Sequence, residues 1–280
     1  MKSTPLVSII TPVYNGAAYL DDLIMSVRDQ DYLSIEHIII DDGSNDNGAT
    51  IAILKKYPHL RWWTRENKGQ YATMNEGLEA ARGDIVCFIS ADDLLTRGAV
   101  KTAIEYLMQR PELDGLYGRM LMIDVDRNPY REQIPCQGLP FKFYPYLAHV
   151  SHCSLYIRMQ QLIKNGELRF NPNYHYCGDY DWMIRLVING LNVGFIDTTL
   201  SLVRMHNDQA TQKHRVEMSK EHDAILREYH FDNLQYRFLF VLYYFSYIWN
   251  RIKFTYRSRG IREVIKLAVD WLSRKIVKQH

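Results

Sequence analysis

At 280 residues, with 47% apolar and 24% charged side chains, the chain can bury a large core as one α/β domain with additions or as two small ones, and wholesale disorder is excluded. Four cysteines (Cys87, Cys136, Cys153, Cys177) without paired spacing exclude a disulfide framework and a structural zinc site, and suit a reducing cytosol. The net charge of +2 hides a split, because ten basic and two acidic residues from Arg237 to His280 leave +8 there and −6 on the rest.

In chain order, Leu6 to Ile10 reads as a short buried strand, and Thr11-Pro12-Val13-Tyr14-Asn15-Gly16 as the turn that ends it. A helix is predicted over 17–30, a second buried strand over 37–40, a helix ending at Lys56 and a more exposed strand over 60–64. A helix over 70–81 leads to Gly83, and Ile85 to Ile89 reads as a strand buried on both faces, followed by a helix over 97–109. Strand and helix alternating in this way predict a doubly wound parallel sheet. The second half is more irregular. Strands are expected at 116–124, 152–157, 193–196 and 200–205, with a proline-bearing loop at 128–146 and a helix from the Cys177-Gly178-Asp179 segment to Asn189.

Three strands of the first half end in turns rich in Asp, Thr, Tyr or Gly, on the sheet edge where open α/β sheets bind ligands. Asp92 and Asp93 follow the most apolar of them. Adjacent carboxylates there suit a hard divalent cation that also holds ligand phosphates. The alternative is that Asp93 caps a helix beginning near Thr96. Neither a Gly-x-Gly-x-x-Gly fingerprint nor a P-loop lysine motif is present, which disfavours ordinary dinucleotide binding and ATPase chemistry.

The pieces Thr11-Pro12-Val13-Tyr14-Asn15, Asp41-Asp42-Gly43-Ser44, Asn67 and Gly69 ahead of Asn75-Glu76-Gly77, Ser90-Ala91-Asp92-Asp93, Gly178-Asp179-Tyr180-Asp181 and His206 occur in an order that resembles the inverting glycosyltransferases of family 2. The resemblance covers roughly residues 5 to 210 and implies the A-type nucleotide-sugar-binding fold, a Rossmann-like doubly wound mixed sheet, here with a helical C-terminal extension. It implies that Thr11, Pro12 and Tyr14 line the base pocket, that Asp41 accepts a hydrogen bond from the base, and that Asn67, Gly69 and Asn75 belong to the nucleotide site. By the same resemblance Asp92 holds the ribose or a phosphate-linked water, and Asp93 with His206 binds Mg²⁺ or Mn²⁺. Asp179 falls at the catalytic base, and His152 near donor sugar and acceptor, with Asp181 as a further sugar-site candidate. Asp181 also has a structural reading, because Arg185 lies four residues on. The chain departs from the family pattern at Ser90 and Gly178, where acidic residues are often found, and it lacks the Gln-x-x-Arg-Trp motif of processive synthases.

The resemblance implies a nucleotide-sugar donor, most simply a UDP-sugar, and a glycan or lipid-linked acceptor in cell-surface polysaccharide synthesis. The division expected is a catalytic unit over 1–210, with a nucleotide half (1–110) and an acceptor half (111–210), and a basic helical extension over 211–280. Phe238 to Trp249 is too short to cross a bilayer, and Ile261, Val264, Ile265, Ala268, Trp271, Leu272 and Ile276 recur at helical spacing among basic residues. This predicts attachment of 237–280 to an anionic membrane surface on the cytoplasmic side, the rival being packing on the catalytic unit or on a second copy of the chain as a homodimer. No nucleic-acid motif accompanies the basic stretch. A sugar-nucleotide pyrophosphorylase, which would need a basic glycine-rich loop near the N-terminus, and a degenerate binding or scaffold protein are the competing functions.

Overall fold

The computed structural model describes residues 4–132, 139–164, 169–231 and 238. The first half folds as β1 (Val7–Val13), α1 (Leu20–Arg28), β2 (Ile35–Asp41), α2 (Ala49–Leu54), β3 (Arg61–Thr64), α3 (Gln70–Ala80) and β4 (Ile85–Phe88). These four strands are parallel and lie in the order β3-β2-β1-β4. Alternate residues face opposite sides of the sheet. Ile10, Val86 and Phe88 pack with Met74 of α3. Ile9, Ile85 and Cys87 pack with Leu23 and Ile24 of α1 and with Val100 and Ile104 further on. Apolar cover on both faces explains why these strands read as unbroken apolar runs.

β1 continues three residues past the predicted end and takes in Pro12. The backbone shows why proline is tolerated there. Val13 O accepts from Asp42 on the β2 side and Ile10 O accepts from Ile89 on the β4 side. Pro12, two residues on from Ile10, therefore turns its missing N–H toward β4, whose pairing has already stopped.

The second half contributes β5 (Leu94–Leu95), α4 (Ala99–Met108), β6 (Gly115–Ile123), β7 (Pro129–Glu132), α5 (Tyr144–Leu147), β8 (Leu155–Arg158), α6 (Met159–Lys164), α7 (Gly178–Ile188), β9 (Val193–Arg204), α8 (Ala210–Lys213) and α9 (Arg215–Glu228). β8 is antiparallel to both β4 and β6, β9 is parallel to β6, and β5 is antiparallel to β9. The sheet is therefore mixed, as the family resemblance implies, and the purely parallel pattern stops at β4. The helix-cap alternative for Asp93 fails, because β5 intervenes and Gly98 stands at the N-cap of α4. Residues 152–154 form a 3₁₀ turn and only then does β8 begin.

The two short strands expected at 193–196 and 200–205 are one. β9 runs unbroken, and the polar Asp197-Thr198 stretch is absorbed where Gly118 pairs with Ile196 and Arg119 with Thr199. Gly118 makes this offset fit, since a Cβ there would lie 2.7 Å from Thr198 O and against the Leu200 side chain. Beyond β9, α9 packs on the body, with Ile225 and Leu226 buried in the cluster that holds Trp182 and Ile184 of α7. Among the described residues no helix is long and apolar enough to cross a membrane. Apart from Phe238, the segment 237–280, with its membrane and homodimer expectations, lies outside the described residues, as does Cys136. Gly118→Ala should destabilise the fold by about 1–3 kcal/mol through overpacking, measured as a lower denaturation midpoint with an unchanged slope.

Candidate active site

The strand order brings the C-terminal ends of β3, β2, β1 and β4 side by side, and with them Thr64, Asp41, Tyr14 and the turn at 90–93. Tyr14 is half exposed at the lip. The β1 and β2 turns are stitched together by Asn15, whose backbone N–H donates to Ser44 Oγ at 2.7 Å and whose amide pairs reciprocally with Asn45. Asp41 is buried beneath them, its carboxylate accepting from Ser44 Oγ at 2.5 Å and Thr64 Oγ1 at 2.6 Å. Asp42 is buried too. It pairs with Arg65 and accepts from the N–H groups of Lys68 (2.8 Å) and Gly69 (3.0 Å), which ties the loop carrying Asn67 and Gly69 to the end of β2.

Three residues expected at the nucleotide have side chains that are buried or hydrogen-bonded within the protein. Thr11 is fully buried with its hydroxyl 3.1 Å from His37 Nε2, and Pro12 is buried beside it. Burial, then the neighbouring His59, pushes His37 down to about 3, so Thr11 faces a neutral imidazole. Asn75 spends its amide on Phe170, donating to its carbonyl at 2.8 Å and accepting from its N–H at 2.8 Å. Asn75 thus clamps α3 to the second half of the chain.

The adjacent carboxylates have opposite fates. Asp93 is 4% exposed, accepts from the Arg204 N–H at 2.9 Å, and has its other oxygen 3.1 Å from Cys153 Sγ. Burial first, then the charges of Cys153 and Asp92, push its carboxyl well above the ordinary range. Both of its oxygens are engaged inside the protein, one by the Arg204 N–H and one by the Cys153 thiol. Asp92 keeps a quarter of its side chain exposed and sits 2.9 Å from His206 Nε2. The oxygen and nitrogen donors that could share a cation are therefore Asp92 and His206, while His206 Nδ1 is buried without a hydrogen-bond partner. Among the described residues no group of three or more His, Cys, Asp or Glu side chains gathers as a metal cluster, so most of such an ion's shell would come from ligand oxygens and water.

Arg204 holds this corner together, and sequence reasoning missed it. It is 1% exposed, donates through Nε to Asp92 O (3.0 Å) and through Nη1 to Val125 O (2.9 Å), and pairs with Asp22 at 2.9 Å. Its guanidinium also lies 4.7 Å from the Tyr19 ring centre, which in turn is 4.8 Å from the His206 ring. The available signal was a lone arginine ending an apolar strand two residues before His206.

Asp179 is the second residue of α7 and accepts from Tyr71 Oη at 3.2 Å, while its other oxygen lies 3.1 Å from His152 Nδ1. The far nitrogen of His152 is 3.3 Å from Ser90 Oγ. A chain of two hydrogen bonds thus links Asp179 to the residue two before Asp92. Burial by itself would raise the Asp179 carboxyl, and the hydrogen bond and charge of His152 reverse this and hold it below the ordinary carboxylate value. Burial would lower His152, and the thiol of Cys153 together with Asp179 holds it well above the ordinary imidazole value. The pair is an ion pair. Beside it, burial raises the Cys153 thiol and His152 pulls it back to about 7.

The departure at Gly178 has a steric cause, since a Cβ there would lie 2.6 Å from the Tyr71 ring. The ring fills the space a side chain would need. Asp181 is 1% exposed and taken up by Arg185 at 2.7 Å and by the Tyr229 hydroxyl at 2.8 Å. Its expected sugar contact gives way to the structural pairing.

The depressed Asp179 value means its stabilisation is complete above the ordinary carboxylate pKa and is lost as pH falls through the lowered one. The raised His152 value means its share is complete below about 6.5 and is lost as pH rises through the raised one. The Tm gap between the wild type and His152→Gln should therefore peak between those limits and shrink on both sides. A gap independent of pH would show that the pair is not ionic.

The family model for glycosyl transferase family 2 matches residues 8–185. An uncharacterized glycosyltransferase of Rickettsia felis is 30% identical over 217 residues, covering 75% of this chain and 36% of that protein, so the match spans about a third of the relative. TuaG of Bacillus subtilis, named for teichuronic acid biosynthesis, is 36% identical over 123 residues, covering 42% of this chain and 48% of that protein. Staphylococcus aureus TarS 1-349, solved with UDP-GlcNAc, superposes with a TM-score of 0.66 at 20% identity over 80% of this chain and 66% of that one. The mannosyltransferase PcManGT of Pyrobaculum calidifontis, solved with GDP-Man and Mn²⁺, gives 0.59 at 16% identity over 97% and 81%. At these identities the structural likeness speaks for the fold, and the family match carries the rest: the chain belongs to glycosyltransferase family 2.

Proposed function

We propose that this chain is an inverting glycosyltransferase that moves one sugar from a UDP-sugar to a hydroxyl of a glycan or lipid-linked acceptor. The observation that carries this reading is the linkage Asp179–His152–Ser90, which puts an ionised carboxylate within two hydrogen bonds of the strand end where Asp92 and His206 meet. The UDP-GlcNAc bound to TarS supports a UDP donor, and the name of TuaG supports a role in surface polysaccharide synthesis.

In this reading Asp179 takes the proton of the acceptor hydroxyl as its oxygen bonds to the anomeric carbon, and the diphosphate leaves from the opposite face with its electron pair. His152 keeps Asp179 ionised and aims it, and Tyr71 fixes the other oxygen. Asp92 and His206 would hold Mn²⁺ or Mg²⁺, which neutralises negative charge developing on the diphosphate. Residues 1–110 take the nucleotide, 111–210 the acceptor, and the basic segment 237–280 holds the enzyme at the cytoplasmic face of an anionic membrane.

Asp179→Asn should reduce turnover by ~10²–10⁴-fold while UDP binding persists, and retention of activity would sink the base assignment. Asp92→Asn should abolish the Mn²⁺-dependent part of thermal stabilisation by UDP, whereas Asp93→Asn should leave it in place. The reverse pattern would return the metal role to Asp93.

A further inference from the structure

Helix α9 lies beyond residue 185, where the family match ends, yet it reaches the segment that carries the base. Glu221, midway along α9, turns its carboxylate onto three consecutive backbone N–H groups. It accepts from His175 at 2.7 Å, Tyr176 at 2.7 Å and Cys177 at 2.5 Å. These residues run directly into α7, whose second residue is Asp179. The helix lacks a cap of its own, because Cys177 stands at the N-cap and its side chain makes no capping bond. Instead Cys177 Sγ lies 3.4 Å from Met218 O of α9. A carboxylate from a distant helix thus satisfies donors that would otherwise be orphaned, and places negative charge at the positive end of α7. The same two segments are joined by Tyr180 stacked on His222 (4.6 Å between centres), by Tyr176 stacked on His214 (5.0 Å) and by the Tyr229 hydroxyl on Asp181.

We infer that Glu221 is the positioning residue for the base, fixing the start of α7 so that the Asp179 carboxylate keeps its bearing on His152 and on the acceptor hydroxyl. This rests on Asp179 being the base. The contact is made to backbone on the α7 side, remote in sequence from the β1–β4 strand ends, so its loss falls on turnover and not on nucleotide affinity.

The test uses the full chain with Glu221→Ala, Glu221→Gln, Asp179→Asn and Ile225→Ala. Three quantities are read: UDP release from UDP-GlcNAc, UDP affinity by calorimetry, and the His152 titration by NMR. Glu221→Ala should lower turnover by about 10²-fold, the order of loss that follows a misplacement near 1 Å, with UDP affinity unchanged. His152 should titrate closer to 6.5 as its partner loosens. Glu221→Gln, which keeps one accepting oxygen, should fall between, and it decides the matter with the NMR titration if the alanine variant does not fold. Ile225→Ala, which trims a buried apolar contact of α9 and leaves the Glu221 carboxylate in place, should lower Tm and leave turnover per folded molecule intact. Wild-type turnover and an unmoved His152 titration in both Glu221 variants, with Asp179→Asn inactive, would overturn the role of Glu221 alone. An active Asp179→Asn would overturn the base assignment and this inference with it. Should UDP-GlcNAc prove not to be a donor, the His152 titration decides.

Discussion

The ion pair between Asp179 and His152 is the constraint on which the site depends. It joins α7, from the second half of the chain, to the β4 strand end through Ser90, and it holds the carboxylate charged in surroundings that would otherwise favour its neutral form. Neither partner is stable in that place alone. Burial acts against both charges, and their mutual attraction offsets it, so the charged state of Asp179 and the docking of α7 on His152 go together.

Around this pair the fold distributes its carboxylates unequally. Asp41, Asp42, Asp93 and Asp181 are each nearly inaccessible and each saturated by neighbours: hydroxyls for Asp41, Arg65 and two N–H groups for Asp42, Cys153 and a backbone N–H for Asp93, Arg185 and Tyr229 for Asp181. Asp92 and Asp179 retain about a quarter of their side-chain surface. Of these six aspartates, Asp92 and Asp179 keep accessible surface, and the other four serve as internal anchors.

β1, β2 and β4 were legible because each carries a buried apolar run with a polar end. β9 was not, since Asp197-Thr198-Thr199 looks like a loop and is absorbed only because Gly118, some eighty residues earlier, leaves room for it. The site shows the same limit. Motif order finds the 90–93 turn, but two adjacent aspartates look alike in sequence. Which one faces outward is decided by Cys153 and Arg204, residues distant in the chain with no local mark of their role. Motif order likewise gives no hint that Thr11 meets His37 and Asn75 meets Phe170.

The Tyr71 ring and the bare α-carbon of Gly178 occupy one another's space. Such a pair couples the backbone at the start of α7 to the packing of α3. A side chain at 178 would have to displace the ring, and with it the hydroxyl that meets the Asp179 carboxylate.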